Sequence, residues 1–153
     1  MSKSNLPPET TLELQERMMA FVRAFGLHQP EQTPCGQPVS VSEAHALAEL
    51  NREQPLTQQE LGSRLRLEKS TISRLVGLLE GRNWIERTRH PDDGRSVQLH
   101  LTKTGIRMAN QIATAREQTF SRLLESIPKP QRPNVLAALK TLTEALHEAQ
   151  QIA

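Results

Sequence analysis

Aromatic residues are scarce: three phenylalanines, one tryptophan and no tyrosine in 153 residues. A folded core must therefore be aliphatic, built from Leu, Ile, Val, Ala and Met. One cysteine, Cys35, excludes an internal disulfide and any zinc site made of a cysteine pair. No apolar run approaches the ~20 residues that a membrane helix needs, and the opening MSKSNLPPET lacks an apolar signal core. A cytoplasmic protein with no membrane partner is expected. No nucleophile elbow, phosphate loop or paired-carboxylate arrangement is present, so neither catalysis nor a cofactor is expected. His147-Glu148 opens like a zinc-protease motif, but Gln151 stands where the second histidine is required.

Charge of one sign is also lacking, the formal net charge being only +2. Its distribution is uneven. Arg64, Arg66, Lys69, Arg74, Arg82, Arg87, Arg89, Arg95, Lys103 and Arg107 crowd one segment against fewer acids: Glu68, Glu80, Glu86, Asp92 and Asp93.

Residues 1–8 are polar and proline-rich and read as a flexible tail. A helix over about 9–27 carries Leu14, Met18, Phe21, Val22 and Phe25 as one apolar stripe. A loop to residue 39 follows, broken by Pro30, Pro34, Gly36 and Pro38. Ser40 with Glu43, and Thr57 with Glu60, have the spacing of capping boxes, each opening a helix. Pro55 and Leu56 leave room for only a very short strand between them.

After a turn at Arg66-Leu67, residues 68–82 form another helix. Taking Ile72 as the origin of a helical wheel, Leu75, Val76 and Leu79 lie within about 60° of it and define the core face. Ser70, Arg74, Gly77 and Gly81 lie opposite, with Ser73 to one side. Small, hydroxylic and basic residues on an outward face differ from the Glu and Lys pairs of a merely solvated helix. Asn83 is suited to the left-handed position that ends this helix. Residues 84–89 and 96–101 form a hairpin around the turn His90-Pro-Asp-Asp-Gly94, with Val97, Leu99 and Leu101 alternating with Gln98 and His100. Thr102 caps a long helix to about 126, with Ile106, Ala109, Ile112, Ala113, Phe120 and Leu123 inward. Pro128, Pro130 and Pro133 break the chain. Val135, Leu139, Leu142, Leu146 and Ala149 then recur in the 4-3-4-3 spacing of a helix-pairing seam.

Two short helices, a tight turn and a charged hairpin are the layout of a winged helix-turn-helix. A helix that enters a major groove needs short side chains at its start so that the backbone can approach base edges. Ser70, Thr71 and Ser73 meet that need, and their hydroxyls can bond bases or phosphates. Arg74 can fork onto guanine or grip a phosphate, Lys69 adds charge, and free N–H groups at the helix start suit a phosphate. Gly77, in mid-helix, costs roughly 1 kcal/mol against alanine.

The pieces LTQQELGSRL, EKSTISRLVGLLEGRNWIER and HPDDGRSVQLHLTKTG, in this order, resemble the MarR family of bacterial transcription regulators. The most specific are Lys69-Ser70-Thr71-Ile72-Ser73-Arg74 and Asp93-Gly94-Arg95-Ser96. The sequence departs from its relatives at Arg66 and Asn83, where glycine is usual. The resemblance implies a mainly α fold: an N-terminal dimerisation helix and loop (9–39), a winged helix-turn-helix (40–104) with a small β-hairpin wing, and C-terminal dimerisation helices (105–153). It also implies a repressor that binds a palindromic operator in double-stranded DNA as a homodimer. The helix 68–82 would read the major groove and the wing 89–96 the minor groove. Arg95 would enter the minor groove, Asp93 would hold its side chain or the tip, and Arg87 and Arg89 would contact the DNA backbone. Related regulators often bind small phenolic or other aromatic anions in a crevice between the dimer helices and the winged domain, here drawing on the first helix, the loop after it and the helix from Ser42, and a signal that shifts the spacing of the two reading heads would release the DNA.

Independently of that resemblance, the terminal apolar stripes have no partner of sufficient size within a small winged domain. Burial against a second copy gains about 25 cal/mol per Å² of apolar surface and sets two reading helices about 34–36 Å apart, one turn of DNA. Two other readings stand beside this one. One is a thiol or metal switch on the same fold, using Cys35 or the scattered His28, His45, His90, His100 and His147. The other is a winged helix serving only protein–protein contacts.

Overall fold

The structure, a computed structural model, describes residues 7–152. The expected tail at 1–8 therefore lies outside the described residues except for its last two prolines. Pro8 already belongs to the first helix, α1 (Pro8–Phe25). That helix stops two residues short of expectation because Gly26 takes a left-handed φ of 82°, its N–H bonding the carbonyls of Val22 and Arg23. The remaining elements are α2 (Val41–Arg52), β1 (Leu56–Thr57), α3 (Gln58–Leu65), α4 (Lys69–Gly81), β2 (Ile85–Arg89), β3 (Val97–Leu101), α5 (Lys103–Ser126) and α6 (Arg132–Ile152). A 3₁₀ turn, Lys129–Gln131, precedes α6. Among the described residues no helix is long and apolar enough to cross a membrane.

The chain divides into two compact units, one up to residue 115 and one from 116 onward. In the first unit, both capping boxes form in both directions. Ser40 Oγ accepts from Glu43 N at 3.2 Å and Glu43 Oε2 accepts from Ser40 N at 2.9 Å; the Thr57–Glu60 pair does the same at 3.1 and 2.7 Å. The three strands are antiparallel in the order β1-β3-β2, with Leu56 and Arg87 flanking Leu99. The core is aliphatic, as the composition requires. Leu47, Leu50, Leu56, Leu61, Leu79, Ile85, Leu99, Val39 and Val76 have their side chains fully buried.

Helix α5 buries Gly105, Ala109 and Ile112 in this unit. The sequence assigned Ile106, Ala113, Phe120 and Leu123 to the same inward side, but all four are exposed. The helix meets the core along a narrower stripe of small residues than its apolar pattern implies, because Gly105 approaches the backbone of Trp84. On α1, Leu14 and Phe21 are exposed while Met18, Val22 and Phe25 are half-buried.

In the second unit, Arg132 Nε donates to the Ile127 carbonyl at 3.0 Å across the turn. Along α6, Val135 and Leu142 are half-buried, whereas Leu139, Leu146 and Ala149 are exposed. The 4-3-4-3 seam is therefore only partly covered by the described residues, with Leu139, Leu146 and Ala149 left open.

Candidate nucleic-acid interface

Helices α3 and α4 form the helix-turn-helix. Buried Gly62 faces Ile72 across the pair. The turn is made by Arg66 at a φ of 54°, with Arg66 N–H on the Ser63 carbonyl and Leu67 N–H on that of Gly62. Arginine holds this left-handed position without the steric freedom of glycine. Asn83 ends α4 at a φ of 58°, as its residue type predicts.

Ile72, Leu75, Val76 and Leu79 bury one side of α4, in agreement with the helical wheel. Lys69, Ser70, Ser73 and Arg74 are exposed on the other side, and Thr71 is half-buried. The sequence reading overlooked Leu78, which is 59% exposed. Its signal was available: on the wheel it lies about 40° from Arg74 and far from the core face.

The wing is pinned by short bonds. His90 N–H donates to the Ser96 carbonyl and Ser96 N–H to that of Asp93, both at 3.0 Å. Asp93 Oδ1 accepts from Arg95 N–H at 3.0 Å, and His90 Nδ1 accepts from Asp92 N–H at 3.1 Å. Of the two roles open to Asp93, the structure selects the tip: it holds the Arg95 backbone and leaves the guanidinium exposed.

Several basic residues of the segment are neutralised within the chain. Arg64 lies 2.6 Å from Glu53 and 3.3 Å from Glu49, and Arg87 Nε lies 3.0 Å from Glu80 Oε2, which ties β2 to α4. Among the described residues no ion pair engages Lys69, Arg74, Arg89 or Arg95, and all four are exposed. Lys69 and Arg95 meet on the wall of one open cleft of about 840 Å³, whose lining also includes Thr57, Ser63, Arg66 and Ser96. The start of α4 and the tip of the β2–β3 hairpin are thus brought to one concave surface. Cys35 is half-buried in the loop after α1, and among the described residues no group of three or more His, Cys, Asp and Glu is gathered that could hold a metal.

Glu60 orients α3 beneath this surface. The Thr57 backbone N–H, then its hydroxyl, hold the Glu60 carboxyl below the usual glutamate range, with Arg64 and His90 assisting weakly. A carboxyl whose folded pKa is depressed contributes stability above its unfolded pKa and loses it as pH falls through the folded one. Glu60→Ala is therefore expected to lower the melting temperature at neutral pH by roughly 2–4 °C, a cap-sized effect at an exposed position. Thermal scans from neutral pH to below the glutamate range should show that gap closing. A gap that is constant with pH contradicts the role given to the charge.

This fold and surface define a winged helix-turn-helix protein. The family model of the MarR family matches residues 39–97. An uncharacterized HTH-type transcriptional regulator of Mycobacterium bovis is 25% identical over 112 residues, covering 73% of this chain and 78% of its own. Among solved structures, Streptococcus pneumoniae FabT in complex with DNA has a TM-score of 0.78 at 20% identity, covering 91% of this chain and 99% of its own. A Staphylococcus aureus MepR–DNA complex has a TM-score of 0.65 at 18% identity, covering 92% and 99%. Over the winged domain the chain is therefore similar to the MarR family of transcriptional regulators.

Proposed function

We propose that this protein is a repressor that binds a palindromic operator as a homodimer, with α4 in the major groove and the wing at the minor groove. The observation that carries the reading is the exposed face Lys69-Ser70-Ser73-Arg74, whose two cations make no ion pair among the described residues and whose first residue, Lys69, lines one cleft with Arg95. Arg74 reads bases, Lys69 and the serines approach the DNA at the helix start, Arg95 enters the minor groove and Arg89 contacts the backbone. Thr71, half-buried, serves from the helix edge. Arg87 reaches phosphate only by sharing its guanidinium with Glu80.

Dimerisation covers the apolar side chains that each unit leaves open, among them Leu14 and Phe21 of the first and Leu139 and Leu146 of the second. Continuous apolar seams on two long helices are the usual mark of a protein–protein contact. FabT and MepR, similar in fold, were each solved with DNA. Release from the operator follows when a small ligand favours a spacing of the two reading helices that no longer fits one duplex; equal affinity for both spacings would shift nothing.

Selection of bound duplexes from a random pool tests the whole reading. The expected result is a two-fold symmetric consensus, bound by two copies per duplex in light scattering, with affinity falling steeply as salt rises. Arg74→Ala in the same selection should flatten the preference at one position of each half-site. No enrichment, or an asymmetric site bound by one copy, overturns the proposal.

A further inference from the structure

Glu43 is the charged residue among the described ones that is most thoroughly removed from solvent, at 4% exposure. It completes the capping box of α2 through Oε2, a task that needs only one oxygen and is ordinarily done at the surface. Its other oxygen, Oε1, points inward and receives no hydrogen bond. Arg82 Nε lies 2.8 Å from it, close enough for ion pairing but without its N–H aimed along the line between them, so the contact is one of charge. The same guanidinium lies over the Trp84 ring, 4.8 Å from its centroid. Arg82 is the residue that closes the end of α4, its own N–H bonding the Leu78 carbonyl. A buried carboxylate without a counter-charge is strongly disfavoured. Arg82 is thus held between the first turn of α2 and the only tryptophan of the chain.

We propose that Glu43 is a positioning residue for DNA recognition, acting through Arg82 to set the angle of α4. The inference rests on the reading of α4 as the DNA-reading helix. Ile72, Leu75, Val76 and Leu79 hold α4 by apolar contact, which is non-directional and tolerates small rotations. The Glu43–Arg82–Trp84 sandwich adds a constraint fixed in position at one end, where the guanidinium is held between a buried carboxylate and a ring face. Ser70 lies twelve residues away, roughly 18 Å along the axis, so a pivot of about 10° at Arg82 moves it by about 3 Å. A reading helix loses its bonding partners with a displacement of that size.

Glu43→Gln keeps the size and the acceptor for Ser40 while removing the charge. Loss of an acid should by itself strengthen binding to any DNA. The proposal predicts the opposite for the selected duplex. Its affinity should fall about three- to tenfold, the scale of coupling between residues in contact, while affinity for mixed-sequence DNA holds or rises. Emission from Trp84 in the free protein should shift as Arg82 leaves its ring. With Arg82 already changed to Gln, Glu43→Gln should add no further loss.

Unchanged Trp84 emission with an unchanged affinity ratio overturns the inference, as does an equal loss in the Arg82→Gln background. Should Glu43→Gln fail to fold, Arg82→Lys at the surface puts the same question: lysine keeps charge but not the planar stack, so the emission and the ratio should both move, and constancy of both overturns the inference. A wild-type protein without a preferred duplex removes the reading of α4 and this inference together. A wild type that selects its duplex beside an inert Glu43→Gln removes this inference alone.

Discussion

Arg95→Ala is expected to weaken binding to the selected duplex tenfold or more at physiological salt. The side chain stands exposed at the wing tip, and the fold presents it there by fixing its backbone through Asp93 rather than by engaging its guanidinium. The arginine can therefore leave water for a groove without first breaking a bond inside the protein. A narrow minor groove focuses negative potential on such a cation, and hydrogen bonds to charged groups contribute about 1.5–3 kcal/mol each. Tenfold is about 1.4 kcal/mol, so one such contact is sufficient. The salt slope should fall by about one counterion. Folding should be nearly untouched, within about 0.5 kcal/mol, because the side chain is exposed and makes no ion pair among the described residues. Fluorescence anisotropy titrations at two salt concentrations, with a thermal scan as control, measure all three quantities. Equal affinity of the two proteins removes the wing from the interface.

Gly105→Ala is expected to damage the fold itself. In most helices this exchange is stabilising by about 1 kcal/mol. Here a Cβ would stand 1.9 Å from the Trp84 carbonyl oxygen and 2.8 Å from its carbonyl carbon. Neither side can readily give way. The Trp84 carbonyl accepts the Thr102 N–H at 3.0 Å, and the Thr102 hydroxyl donates to the Asn83 carbonyl at 2.7 Å while accepting the Gly105 N–H at 3.0 Å. Moving α5 away breaks this junction between the end of α4, β2 and the start of α5. Overpacking costs about 1–3 kcal/mol and each lost hydrogen bond about 1 kcal/mol. A net loss of about 2–4 kcal/mol follows, a drop of roughly 5–15 °C in melting temperature. Denaturant unfolding of the two proteins decides it, and a more stable Gly105→Ala contradicts the close approach.

These expectations differ in how far the amino-acid sequence alone supports them. Arg95 was legible because hairpin turns carry strong local chemistry: Asp, Gly and a basic residue between two alternating runs. Gly105 was not, since nothing in the order of residues says that α5 begins against the backbone of Trp84. Arg87 was read as a DNA-backbone contact from its charge and strand position, yet it lies against Glu80, which only the packing of β2 beside α4 could reveal. Leu78 lay on the outward side of the wheel and was missed because attention to apolar residues favours the core.

What the order of amino acids determined by itself is whatever depends on neighbours three or four positions apart. That covers the two capping boxes, the buried stripe of α4, the left-handed Asn83 and the tight wing, and with them the family resemblance. Tertiary structure alone decided which charges are spent inside the chain and which remain for a partner. It turned Glu43 inward onto Arg82, gave Arg64 and Arg87 their carboxylates, and left Lys69, Arg74, Arg89 and Arg95 in water. The physical reason is range: a helix turn or hairpin is built from bonds that a short segment makes with itself, whereas an ion pair between elements forms only when the core has fixed where each element lies.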